Sequence, residues 1–118
     1  MRLGKRKQPY HIRLKGGGPF AFAGLWERWQ EPGGEPIDSC AIITTEANEP
    51  MRPLHARMPV ILDPDSYDDW LDPRARDVDA LRALLVPYPD EGMTATPVSA
   101  YVNNARNEGP QCLEPVPA

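Results

Sequence analysis

Cysteine and histidine are scarce in this chain, with two of each among 118 residues. Cys40 and Cys112 stand far from each other and from His11 and His55, in no recognisable ligand spacing, so no metal centre and no cofactor is expected. Two free thiols are the expectation, as in a reducing, cytoplasmic setting. Long apolar runs are missing too: no window approaches the roughly 20 residues of a membrane-spanning helix. The opening MRLGKRK is basic but has none of the apolar stretch of a secretory signal. The triple glycine at residues 16–18 is followed by proline, without the lysine and hydroxyl that complete a phosphate-binding loop. What the chain does have is proline, 15 residues, and 9 glycines, which favour short elements joined by many turns. An apolar fraction of 41% and a charged fraction of 25% are those of a globular protein of at most one domain.

The net charge of −4 conceals an asymmetry. Residues 1–16 hold six basic side chains and no acidic one; the remainder has seven basic against seventeen acidic. That balance argues against broad non-specific binding of nucleic acid and leaves room for a small local site. The basic start reads as a solvated tail, with residues 1–7 expected to be disordered.

QPYHIRL alternates, setting Tyr10, Ile12 and Leu14 on one face and His11 and Arg13 on the other, with His11 expected to face solvent. KGGGP and then FAFAGLW follow, which predicts a hairpin. EPGGEP turns the chain into SCAIITT, whose near-continuous apolar run predicts a third strand buried on both faces, with Cys40 inside it. The cheapest arrangement of the three is an antiparallel meander. LDPDSYDDWLDP reads as a short helix capped by Asp63. RDVDALRALLVP reads as a second helix, with Val78, Leu81, Leu84 and Leu85 on one face and Pro87 closing it. MTATPVSAYV returns to strand and NNARNEGP is a polar loop, so the class is α+β with sheet dominant.

The candidate chemistry centres on LHARMPVIL. In an extended segment His55 and Arg57 share a face, and Pro59 biases the residue before it toward that geometry. An imidazole transfers protons near neutrality, and a guanidinium grips phosphate through two parallel hydrogen bonds. The plainer alternative is a structural histidine beside an apolar run. Thr44, at the end of the third strand, offers a hydroxyl to a phosphate or a cap to a turn. Asn103 and Arg106 in NNARN can line a backbone-binding loop or simply hold a turn. Glu27, between Trp26 and Trp29, reads as an exposed acid beside an aromatic pair.

Taken in order, KQPYHIRL, PFAFAGLWERW, SCAIITTEAN, LHARMPVIL and NNARNEGPQCLEPV resemble the SOS response-associated peptidase (SRAP) family of abasic-site processing proteins, over nearly the whole chain. The resemblance implies an α+β fold built on coiled antiparallel β-sheet with short helices, and single-stranded DNA carrying abasic sites as the partner. It implies a thiazolidine crosslink between an amino-terminal cysteine and the aldehyde of the open sugar, and removal by the protein of its own leading residues. It places the family's histidine at His55, as the proton-transfer group, with Arg57 and Thr44 at the DNA. It also implies a cytoplasmic protein, nucleoid-associated when bound to DNA.

The family begins MCGR, whereas position 2 here is arginine, and its GFYEW motif is replaced by MRLGKRK. The chain therefore resembles the carboxy-terminal half of the domain, a partial domain over residues 1–118, without the family's cysteine, asparagine and glutamate. Three readings follow: a truncated copy that is inactive in crosslinking unless a separate first half is beside it, a non-catalytic single-stranded DNA-binding module, or an enzyme using another nucleophile, Cys40, Cys112 or the Met1 amine. Half of a coiled sheet leaves strand edges open, so the isolated chain is expected to be marginally folded, with weak amide protection over residues 8–45.

Overall fold

The computed structural model describes residues 2–3 and 6–117. In chain order its strands are β1 (Arg2–Leu3), β2 (Arg6–Lys7), β3 (Tyr10–Leu14), β4 (Ala21–Phe22), β5 (Gly24–Gln30), β6 (Pro36–Ile42), β7 (Thr44–Glu46), β8 (Arg57–Pro59), β9 (Ile61–Leu62) and β10 (Met93–Pro97). Helices α1 (Tyr67–Leu71) and α2 (Val78–Arg82) lie between β9 and β10, so the fold is α+β, as the sequence predicts. Each sheet among the described residues is a two-stranded antiparallel pair. Of the basic start, Met1, Gly4 and Lys5 lie outside the described residues, while Arg2–Leu3 pairs with Arg6–Lys7. The chain divides into two compact units.

The first unit comprises the residues up to Gly18, then Ala47–Ala56 and the residues from Pro89 on. Its frame is the β3–β10 ladder, from Leu14↔Met93 to Tyr10↔Pro97. Backbone hydrogen bonds carry it outward at both ends, with Lys15 N donating to Gly92 O at 2.9 Å and Val98 N to Pro9 O at 3.0 Å. The C-terminal segment joins through Val116 N to Pro97 O at 3.0 Å and a Val98↔Pro115 bridge. Met93 and Val98 are buried.

This ladder corrects two expectations. The partner of β3 is not FAFAGLW across a glycine turn but a strand some eighty residues further on, so the three-strand meander does not form. A turn does close at Gly17, whose N–H donates to Leu14 O at 2.9 Å with φ at +78°. The chain then leaves the unit at Gly18, because three glycines and Pro19 exceed the short primed turn a tight hairpin needs. His11 pairs with Thr96 and is half-buried, not solvent-facing.

The second unit comprises Pro19–Glu46 and Arg57–Tyr88. Three ladders meet in it: β4–β9, β5–β6 and β7–β8. One residue separates each strand from the next, Ala23 between β4 and β5, Ile43 between β6 and β7, and Val60 between β8 and β9. These three bond in a ring. Ala23 N donates to Val60 O at 2.8 Å, Val60 N to Ile43 O at 2.9 Å, and Ile43 N to Ala23 O at 2.9 Å. Each segment thus changes ladders at the junction without leaving a backbone group unpaired, which burial there would penalise. Ala23 and Val60 are 0% exposed and form the core with Leu62, against which Ile43, Tyr67, Trp70, Leu84 and Leu85 pack.

The helices brace this junction. Asp63 caps the 3-10 turn Pro64–Ser66 by accepting from Asp65 N at 2.9 Å, and α1 follows. Trp70 on α1 donates its indole N–H to Gly24 O at 3.2 Å. Asp77 caps α2, accepting from Ala80 N at 3.1 Å. The second helix is shorter than the sequence suggests. Leu84 and Leu85 reach the core from the tighter turns that follow it, and Val78 is exposed.

The β5–β6 hairpin is where the burial expectation fails. All seven residues of β5 and all seven of β6 are exposed, Cys40 included, so Ser39–Ile42 of the third strand is not buried on either face, while Ile43 packs on the core. The apolar sequence is as read; nothing among the described residues lies across it to cover it.

Candidate functional site

Arg57 and Thr44 are brought together by the β7–β8 register, which pairs Thr44↔Pro59, Thr45↔Met58 and Glu46↔Arg57. Residues offset by two positions across antiparallel strands lie diagonally on one face, within reach of a long side chain. The guanidinium uses that reach. Nη2 donates to Thr44 O at 2.8 Å and to Thr44 Oγ1 at 3.1 Å, and Nε donates to Thr44 Oγ1 at 3.3 Å. Met58 between them is 2% exposed and anchors β8 in the unit. Arg57 and Thr44 themselves are exposed. A guanidinium held this way has already lost most of its rotamer freedom, so a bound anion need not order it again. The Thr44 hydroxyl, accepting from Arg57, keeps its own O–H to donate.

His55 belongs to the first unit, at the end of a compact turn over residues 48–55. Arg52 N donates to Asn48 O at 2.9 Å, Leu54 N to Met51 O at 2.8 Å, and His55 N to Met51 O at 3.0 Å. The His55 side chain is exposed. The residue organising this turn is Asn48, only 5% exposed. Its Oδ1 accepts from Met51 N at 3.2 Å and its Nδ2 lies 3.1 Å from Met93 Sδ on β10. The ends of the segment are closed by Ala47 N donating to Ala56 O at 3.0 Å. Glu49 N adds a bond to the Asp90 carboxylate at 3.0 Å, and Arg52 pairs with Glu49. The sequence did not single out Asn48, although an asparagine just past a strand is a turn signal.

Asn103 and Arg106 also belong to the first unit, on a separate loop. Ser99 caps the 3-10 turn Ala100–Asn103, accepting from Tyr101 N at 3.1 Å. Asn104 Oδ1 accepts from Arg106 N at 3.0 Å, and Asn107 Nδ2 donates to Tyr101 O at 2.8 Å. Asn104 and Asn107 thus hold the loop, while Asn103 and Arg106 are exposed on it. Among the described residues no group of histidine, cysteine and carboxylate side chains is placed to hold a metal ion. No described helix is long and apolar enough to cross a membrane.

The sequence profile of the SOS response associated peptidase (SRAP) family matches residues 2–105. The abasic site processing protein YoqW of Bacillus subtilis (strain 168) is 46% identical over 110 residues, 93% of this chain and 49% of that protein. The abasic site processing protein HMCES of Gallus gallus is 39% identical over 99 residues, 82% of this chain and 29% of that protein. A crystal structure of a protein from Bacteroides thetaiotaomicron, 28% identical, matches with a TM-score of 0.83 over 98% of this chain and 51% of its own. The chain spans about half the length of YoqW and of that solved protein. It belongs to the SOS response associated peptidase family.

Proposed function

We propose that this chain takes part in processing abasic sites in DNA, binding single-stranded DNA at the lesion. The observation that carries the reading is its 46% identity, over 93% of its length, to a protein named for abasic site processing. The Arg57–Thr44 pair is the phosphate contact: an exposed guanidinium fixed on a ladder, with a hydroxyl beside it. His55, exposed at the end of its turn, is the proton-transfer group for opening the sugar and for forming or reversing a covalent bond to it. Asn103 and Arg106 add backbone contacts from their loop.

A thiazolidine forms when an amine and a thiol on adjacent carbons condense with one aldehyde, releasing water. Cys40 and Cys112 both lie within the chain, their nitrogens in peptide bonds, so neither supplies the paired amine and thiol of that step. In this reading the polypeptide supplies the proton-transfer and phosphate-binding groups, and the nucleophile belongs to the half of the family fold it does not span. The exposure of Cys40 keeps one other nucleophile open to test.

The test is to incubate the folded chain with single-stranded DNA carrying one abasic site. Native and denaturing gels are then run side by side. Binding is expected on the native gel, falling with salt, and weakened about uniformly across sequences in Arg57→Ala with a shallower salt slope. No heat-stable band is expected on the denaturing gel. A heat-stable band would show that the polypeptide carries its own nucleophile; its loss in Cys40→Ser would assign it to Cys40. Absence of any binding from folded protein would overturn the reading.

A further inference from the structure

We propose that the β5–β6 hairpin is a docking surface for the half of the family fold that this chain does not span. The inference rests on family membership and not on the DNA-binding reading. β5 and β6 pair through Leu25↔Ala41, Trp26↔Cys40 and Trp29↔Ile37, and no other described strand pairs with either. Alternation along the strands puts Trp26, Cys40 and Ile42 on one face and Leu25, Trp29 and Ile37 on the other. The five large apolar side chains among these are between 55% and 72% exposed. Counting roughly 200 Å² for a whole tryptophan, they present on the order of 600 Å² in all, divided between the two faces.

Two features define the occupant. The first is that both faces are apolar and both edges open, the signature of strands from the interior of a larger sheet. A second copy meeting this hairpin face to face would cover one face and leave the other in water. A polypeptide that adds strands at the edges and covers both faces satisfies all of it. The second is length. The Bacteroides thetaiotaomicron structure reproduces 98% of this chain within a polypeptide of which it is only 51%, so the same fold is embedded there in about as much chain again. Polarity bounds the footprint. Towards the tip the hairpin carries the Arg28–Asp38 ion pair at 2.7 Å, with Glu31 and Glu35 in the turn, a composition suited to water. The covered section therefore ends at Arg28–Asp38 on the Trp26 face and at Trp29–Ile37 on the other, short of the turn.

The test mixes the full chain with a polypeptide comprising the half of Bacillus subtilis YoqW that it does not match, without DNA. A second version joins the two through a flexible Gly/Ser linker, whose effective concentration in the millimolar range reveals even weak docking. Sedimentation should show a one-to-one complex. Amide exchange over residues 24–42 should slow at least tenfold, and tryptophan emission should shift to the blue as Trp26 and Trp29 leave water. Leu25→Asp with Trp29→Asp should abolish all three while the junction amides of Ala23, Ile43 and Val60 stay protected. No protection of residues 24–42 in the linked version would overturn the proposal. So would a complex indifferent to the double substitution, or a homodimer that covers the hairpin instead.

Discussion

A single buried amide sets the position of the histidine. Asn48 offers one acceptor and two donors, and the structure uses Oδ1 for Met51 N and aims Nδ2 at the Met93 sulfur. Burial at 5% exposure makes the side chain hard to replace, because truncation leaves the Met51 N–H without that acceptor and opens space against Met93. Asn48→Ala should cost about 0.5–1.5 kcal/mol, the net worth of a typical hydrogen bond, since the Met51 N–H keeps the Asn48 main-chain oxygen at 3.1 Å. His55→Ala removes an exposed side chain and should leave stability within about 0.5 kcal/mol. Urea denaturation of both variants checks the contrast. Equal costs would mean that the turn does not depend on Asn48. At this scale the sequence was partly readable. His55 and Arg57 stood out because histidine is rare and because a guanidinium beside an apolar strand suggests an anion. Asn48 did not stand out, since nothing local tells a buried asparagine from an exposed turn residue.

Elements were legible where their signals are local. The hairpin turn at residues 31–35, with Gly33 at φ +80°, and the Asp63 cap follow from neighbouring residues alone, as does the strand from Met93, which ends at Pro97 and gives way to a 3-10 turn over Ala100–Asn103 instead of running on to Val102. What period-two alternation does not name is the partner. It could not show that β3 pairs with β10, nor that Ala23, Ile43 and Val60 each end one ladder and begin another. The β5–β6 hairpin, with few contacts outside itself, is held across its outer part by the Arg28–Asp38 pair, in which Arg28 Nε donates at 2.7 Å and Nη2 at 3.1 Å. The bond from Arg28 holds the Asp38 carboxyl below its ordinary value, and the same bond raises Arg28. A depressed carboxylate stabilises above its unfolded-state value, and the contribution disappears as pH falls through the lower folded value. Both groups are solvent-exposed, so the effect is small and screened by salt. The Asp38 carboxyl resonance, followed by NMR, should titrate below the ordinary aspartate range and return to it in Arg28→Ala. An unchanged midpoint in that variant would show that the pair does not form in solution.

Across the molecule, stability is distributed unevenly, and the reason is where apolar surface finds a cover. At the junction three backbone bonds are enclosed by Ala23, Val60 and Leu62, with Trp70, Leu84 and Leu85 packed on them. Along β5 and β6 an equally apolar sequence forms a two-stranded ladder with solvent on both faces, and such a ladder is marginal by itself. The sequence alone suggested weak protection throughout residues 8–45. The structure divides that window. The amides of Ala23 and Ile43 close the ring with Val60 and should exchange slowly, near the rate of global opening of their unit. Those of β3 in the Leu14↔Met93 to Tyr10↔Pro97 ladder should be intermediate. Those of residues 25–29 and 37–41 should exchange fastest, because opening the hairpin exposes little surface that is not already wet. Residue-resolved hydrogen exchange on the monomer reads this directly. Protection across 24–42 as strong as at Ala23 would mean that the hairpin holds itself together without a cover. Fast exchange at Ala23 and Ile43 would mean that the junction does not survive in the isolated chain, and that the family fold requires both of its halves before either is stable.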